Sequence, residues 1–223
     1  GKSELINAIF FADYGRRIMP ASAGRTTMCP TELGYDAALP PSLCLLPIET
    51  RLQSQGLAEW RLKRDRWIDI PLDIHNPEQV AKSIERVAQV RHVSVDEARN
   101  LGFWHDEVAD QNPVVDSQGR VEVPMWRHAI INMPHPLLKQ GLVILDTPGL
   151  NAVGAEPELT VSLIPQAHAV VFILGADTGV TRSDLAIWRE HLISTEAGSE
   201  ARLVVLNKID TLWDTLSSPE QVQ

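Results

Sequence analysis

The sequence predicts a three-layer α/β fold with a mostly parallel sheet, and three features lead there. Residues 141–145, 169–174 and 202–206 are short, apolar, β-branched runs of the kind that form strands buried on both faces. A helical stretch at about 183–193 lies between the last two, giving the strand–helix–strand order of a parallel sheet. A further helix is expected at residues 4–10, where Leu5, Ile6, Ala8 and Ile9 offer an apolar face.

The remaining elements follow from local signals. A loop rich in Pro, Thr and small residues runs from Pro20 to Thr31. Asn76-Pro77-Glu78-Gln79 reads as an N-cap, a first-turn proline and a capping Gln, leading into a helix over about 80–90. Ser94-Val95-Asp96-Glu97 opens a second, short helix that should stop near Gly102. Beyond Pro113 the pattern turns to strands, with alternation over 121–133.

Length and composition fit one large domain, or one domain with a sizeable insertion. The apolar fraction of 44% and charged fraction of 22% are ordinary for a soluble globular chain. No run approaches the roughly 18 to 20 apolar residues that span a bilayer, and the start lacks a signal-peptide pattern. Cys29 and Cys44 have no metal-ligand spacing, so a reduced, cytoplasmic setting is the default. A net charge of −9 argues against a broad nucleic-acid face. Arg61, Lys63, Arg64 and Arg66 read as a solvated basic face. The seven histidines, His128, His135 and His191 among them, read as ordinary strand, loop or helix residues.

Four motifs carry chemistry. Gly1-Lys2-Ser3 precedes the first helix, as the end of a phosphate-binding loop does. Backbone N–H groups and the helix N-terminus favour phosphate there, Lys2 would contact the β- and γ-phosphates, and Ser3 would give Mg²⁺ a hydroxyl. Asp146-Thr147-Pro148-Gly149 follows a strand, where an α/β sheet holds its ligand. Asp146 could hold the Mg²⁺ shell and the Gly149 N–H could meet the γ-phosphate, although an Asp-Pro-Gly turn is a common way to end a strand.

Asn207-Lys208-Ile209-Asp210 follows another strand. Asp210 is placed to accept hydrogen bonds from the guanine ring N–H and exocyclic amine, both of which adenine lacks. Asn207 would contact the base and the Lys208 stem would lie along its ring. The fourth motif is a loop threonine that reaches Mg²⁺ and orients the attacking water. Thr27 is preferred over Thr26 and Thr31, though spacing alone does not decide it. Asp177 and Thr178 could also approach the ligand, or simply form a turn beside a helix cap.

Together these motifs resemble the G1 to G4 set of the TRAFAC-type P-loop GTPases. The segment from Met19-Pro20 to Thr26-Thr27 resembles the Leu-Pro switch loop of the dynamin branch, bacterial dynamin-like proteins in particular, with Thr27 seven residues after Pro20. The long separation of Thr27 and Asp146 is similar to that branch as well. The likeness covers residues 1–34 and about 121–215, and leaves 35–120 as an insertion between switch I and the Asp-Thr-Pro-Gly motif.

The resemblance implies a partial G domain over residues 1–223, lacking its first and last strands, with GTP or GDP and Mg²⁺ as ligands. Lys2 and Thr27 would be catalytic. Gly1, Lys2, Ser3, Asp146, Gly149, Asn207, Lys208 and Asp210 would hold the nucleotide, and Ser3, Thr27 and Asp146 the metal. It implies GTP hydrolysis, self-association through the G domain, and membrane remodelling or tethering. The setting would be cytoplasmic or peripheral at the inner face of a membrane, with any membrane contact made by regions outside this segment. The alternative is a GTP-regulated switch or scaffold acting through a protein partner, with Trp60, Trp67, Trp104 and Trp126 as its surface. A plain core role under a long excursion is the simpler reading of those tryptophans. Residues 1–223 expressed alone are expected to bind GTP poorly or misfold; tight, Mg²⁺-dependent GTP binding by that segment would refute this.

Overall fold

The computed structural model describes residues 2–20, 29–107, 112–147, 168–177, 179–180, 185, 188–189 and 201–209. The chain falls into two compact units, Ser3–Glu156 and Pro157–Gln223, the latter grouped with the two N-terminal residues. The first unit contains α1 (Lys2–Phe10), β1 (Thr31–Gly34), β2 (Ser42–Pro47), α2 (Leu57–Leu62), β3 (Ile68–Pro71), α3 (Pro77–Ile84), β4 (Val90–Ser94), α4 (Val95–Asn100), β5 (Arg120–Pro124), β6 (Trp126–Asn132) and β7 (Ile144–Asp146). The second contains β8 (Ala169–Gly175) and β9 (Ala201–Asn207).

Local chemistry explains where the helices begin. The Asn76 side chain accepts from the Gln79 N–H at 3.1 Å, capping α3, and Pro77 fits the first turn because its missing N–H has no helical partner anyway. Gln79 then reaches outward, accepting from the Asp73 N–H and donating to the Pro71 carbonyl. Ser94 caps α4 by accepting from the Glu97 N–H at 3.1 Å, and the chain turns out of the helix at Gly102, whose φ of 79° suits glycine.

Five strands of the first unit form one sheet in the order β3-β2-β6-β1-β7. Alternation assigns its two faces. Leu33, Leu43, Leu45, Ala129 and Ile131 point to one side, where they form a buried core with Ile6 and Phe10 of α1 and Val80 and Ile84 of α3. Cys44, Leu46 and His128 take the other side, with Trp60 and Trp67 buried nearby. A smaller core joins β4, β5 and α4 through Val93, Ala98, Leu101, Phe103, Val121 and Val123.

Several expectations change. The sheet is mixed: β1 runs parallel to β6, but β1–β7, β2–β3 and β2–β6 are antiparallel. A continuous apolar run reports burial on both faces, and an antiparallel strand covered on both faces reads the same way. The strand expected at 141–145 shrinks to Ile144–Asp146 at the sheet's end, with Leu142 and Val143 exposed. The helix expected over 80–90 stops at Ile84; a 3₁₀ turn follows, and Val90 opens β4. Residues 35–120 supply β2 and β3 to the same sheet as β1, β6 and β7. Trp60, Trp67 and Trp126 are buried, so the core role holds for these three.

In the second unit, β8 and β9 pair in parallel as expected, from Ala169↔Ala201 to Gly175↔Asn207. They are less covered than their apolar runs predict, with Leu203, Val204 and Leu206 about half exposed. The helix expected at about 183–193 lies largely outside the described residues.

One buried polar cluster was not foreseen. His128 is 1% exposed, and its Nε2 lies 3.8 Å from the Glu32 carboxylate, too far for a hydrogen bond but close enough to interact electrostatically. Arg61, read from the sequence as solvated, turns inward to pair with Glu32. Burial pushes the Glu32 carboxyl up, but His128 and Arg61 outweigh it and hold the carboxyl below its ordinary range. The stability this provides is therefore complete above the ordinary glutamate range and lost as pH falls below it. Glu32→Gln should cost about 1 kcal/mol at neutral pH, at the low end because Arg61 stays over a third exposed. In urea melts against pH, the gap between Glu32→Gln and the native protein should close on acidification.

Candidate nucleotide-binding site

The first unit brings two distant motif residues into contact. Ser3, in the first turn of α1, donates from its hydroxyl to Asp146 Oδ2 at 3.1 Å, across 143 positions of sequence. Ser3 is buried and Asp146 closes β7. The β1–β7 ladder fixes the carboxylate's position: Thr31 pairs with Asp146, Glu32 with Leu145 and Leu33 with Ile144.

These two oxygens suit Mg²⁺. Both are hard oxygen donors, and their separation matches neighbouring oxygens in an octahedral shell, about 3 Å for bonds of about 2.1 Å. A magnesium ion also needs only one or two protein oxygens when phosphates and waters complete its shell. Among the described residues there is no group of three or more His, Cys, Asp or Glu able to hold a metal.

A second residue of α1 ties the helix to the loop that follows it. Asn7 Oδ1 accepts from the N–H groups of Ile18 and Met19, at 3.0 and 2.7 Å, and its Nδ2 donates to the Met19 carbonyl at 2.9 Å. Ile18 and Met19 are themselves almost fully buried. The start of the threonine loop is thus clamped to the helix that carries Ser3. Asn7 was not among the residues singled out from the sequence. Its one signal was a polar side chain between the apolar Ile6 and Ala8.

The second unit carries the other motif. Asn207 closes β9 opposite Gly175, and its Oδ1 accepts from the Lys208 N–H at 2.8 Å. Lys208 has a φ of 61°, uncommon for a residue with a side chain and costing about 1 kcal/mol or more. Its ammonium lies 2.6 Å from Asp177 Oδ2. Asp177, left open in sequence as a ligand-approaching or turn residue, is therefore an ion-pair partner of a motif lysine.

The other predicted site residues divide plainly. Lys2 opens α1, but its side chain lies outside the described residues, as do Gly1, Thr26, Thr27, Gly149, Thr178 and Asp210. Thr31 is buried, and its hydroxyl donates to the Cys29 carbonyl at 3.1 Å, which takes it away from metal duty.

A family model described as the dynamin family matches residues 1–209. The chain belongs to the dynamin family. Members of this family are GTPases. The chain is 29% identical over 110 residues to a bacterial dynamin-like protein of Nostoc punctiforme, covering 49% of this chain and 15% of that protein. It is 33% identical over 91 residues to a probable transmembrane GTPase, FZO-like and chloroplastic, of Arabidopsis thaliana, covering 40% of this chain and 9% of that one. A solved structure of an oligomerised bacterial dynamin pair, described as a mechanism for long-range sensing and tethering of membranes, superposes with a TM-score of 0.53 at 16% identity. That match takes in 100% of this chain and 32% of the other, and it shows the fold: a P-loop α/β G domain of the dynamin type with a mixed sheet. The chain thus spans a minor part of each of these dynamin-type proteins.

Asn7→Ala should strip partners from the buried Ile18 and Met19 N–H groups and cost about 1–3 kcal/mol in urea unfolding. Asn7→Asp keeps the acceptor for both N–H groups but sets a carboxylate oxygen against the Met19 carbonyl, so it should be destabilising as well, and less so at low pH where the protonated acid can donate.

Proposed function

We propose that the protein containing this chain binds GTP with Mg²⁺, hydrolyses it to GDP and phosphate, and uses the cycle to remodel or tether a membrane. The observation that carries the nucleotide part is the Ser3–Asp146 contact, which joins the Gly-Lys-Ser and Asp-Thr-Pro-Gly motifs at one point. Family membership supplies the reaction class.

The roles follow from chemistry. Water attacks the γ-phosphorus in line with the bond to the β-phosphate, which breaks to release GDP; there is no covalent intermediate. Mg²⁺, when bound, neutralises charge on the β- and γ-oxygens. The Ser3 hydroxyl and the Asp146 carboxylate hold its shell, joined by Thr27. The Lys2 ammonium meets the β- and γ-phosphates, and backbone N–H groups from Gly1 and Gly149 complete the cradle. The Thr27 carbonyl orients the water. Asp210 accepts from the guanine N–H groups, Asn207 contacts the base, and the Lys208 stem covers its ring.

Membrane action and self-association rest on relatives. The FZO-like relative is described as a transmembrane GTPase, and the solved bacterial dynamin as an oligomerised pair that tethers membranes. Among the described residues no helix is long and apolar enough to cross a membrane. By analogy with these relatives we assign membrane contact to parts of the parent protein other than this G domain. A GTP-regulated scaffold acting through a protein partner drew its support from an exposed tryptophan surface, and three of its four tryptophans are buried.

Turnover of GTP and ATP by the complete parent protein, with and without liposomes, tests this reading. We expect GTP-selective turnover that rises with lipid and with protein concentration. Indifference to lipid would remove the membrane role and keep the site, while equal use of ATP would overturn the guanine assignment.

A further inference from the structure

We propose that Asp177 is a positioning residue of the base site, holding Lys208 extended so that its stem is ready for a planar purine ring. This rests on the GTP reading of the previous section and adds a residue that the four motifs do not include.

The parallel register of β8 and β9 brings the two residues together. Gly175 pairs with Asn207, so the segments leaving both strands depart from the same end of the ladder. Hydrogen bonds from the Ala176 N–H to the Asn207 carbonyl, and from the Gly179 N–H to the Gly175 carbonyl, brace the turn that carries Asp177. Lys208 leaves β9 in a left-handed backbone conformation with its N–H on Asn207 Oδ1. The far end of its side chain sits on Asp177 Oδ2 at 2.6 Å.

The stem is thus fixed at both ends. A free lysine samples many rotamers, and ordering it on binding weakens affinity; a stem ordered beforehand avoids that loss. Its four methylenes then present an apolar strip, a surface suited to the face of an aromatic ring. The side chains of both partners stay about one-third to one-half exposed, and an ion pair so placed contributes little to folding. A left-handed lysine tied to a turn carboxylate is therefore better explained by ligand geometry than by stability.

Because Asp177 acts through Lys208 on the base, it should strengthen binding of substrate and transition state equally. Its loss then raises KM and leaves kcat largely alone.

The test uses the complete parent protein and compares Asp177→Asn, Asp177→Glu, Lys208→Met and the Asp177→Asn/Lys208→Met double variant. Asp177→Asn keeps the side chain's shape and removes its charge. We expect it to raise the KM for GTP and the Kd for GDP by the same factor, about five- to tenfold, with kcat within about twofold. Asp177→Glu should recover part of the loss, and the double variant should be no weaker than Lys208→Met alone. Unchanged or tighter GDP binding by Asp177→Asn would overturn the proposal. So would losses that multiply in the double variant. If the native protein prefers GTP and Asp177→Asn matches it, this inference alone fails. If the native protein does not prefer GTP over ATP, the reading beneath it fails as well.

Discussion

β1 is only four residues long, yet it carries two ladders, running parallel to β6 on one side and antiparallel to β7 on the other. Thr31 has Ala129 as its partner in one ladder and Asp146 in the other, so the first residue of β1 fixes where β7 ends. Leu33 anchors the same strand in the core with Ile6 and Phe10 of α1. Through that core and that ladder, Ser3 and Asp146 are brought to hydrogen-bonding distance. Neither residue could hold the other in place alone, since one hydrogen bond contributes only about 1 kcal/mol. The ladder and the core supply the precision, and the contact between the two motifs results from it.

The chain uses the same device at other points: a polar side chain that satisfies backbone groups where regular structure stops. Asn7 does so for Ile18 and Met19. Asn132 does so for the turn between β1 and β2, accepting from the Asp36 N–H at 2.8 Å and donating to the Leu39 and Pro40 carbonyls. Asn207 does so for Lys208. Asn7 and Asn132 supply both donor and acceptor, and Asn207 an acceptor, at places where neither helix nor strand can.

Much of this was legible in sequence, and the losses have identifiable causes. Caps and turns were read well: Asn76, Ser94 and Gly102 act locally, and local chemistry is visible in a few consecutive residues. The strands 169–174 and 202–206 and their parallel pairing were also anticipated. Strand direction in the main sheet was not, because an apolar run records burial and carries no sign of which neighbour it meets. The helix over 80–90 was overextended because Val87 and Val90 fit a helical apolar face as well as a strand. The polar contacts across long separations, Glu32 with His128 and Lys208 with Asp177, had no local signature at all. Ser3 and Asp146 could be singled out in advance because their motifs are short and strict in type, whereas the contact between them lies 143 positions apart and leaves no local mark.

The most direct test of this account is a Mg²⁺ titration of GTP turnover by the complete parent protein, native beside Ser3→Ala and Asp146→Asn. If the contact between α1 and β7 marks the metal site, both substitutions should raise the Mg²⁺ needed for half-maximal turnover, on the order of tenfold, as loss of an oxygen ligand requires. A Mg²⁺ dependence unchanged in both variants would contradict the assignment of Ser3 and Asp146 to the metal.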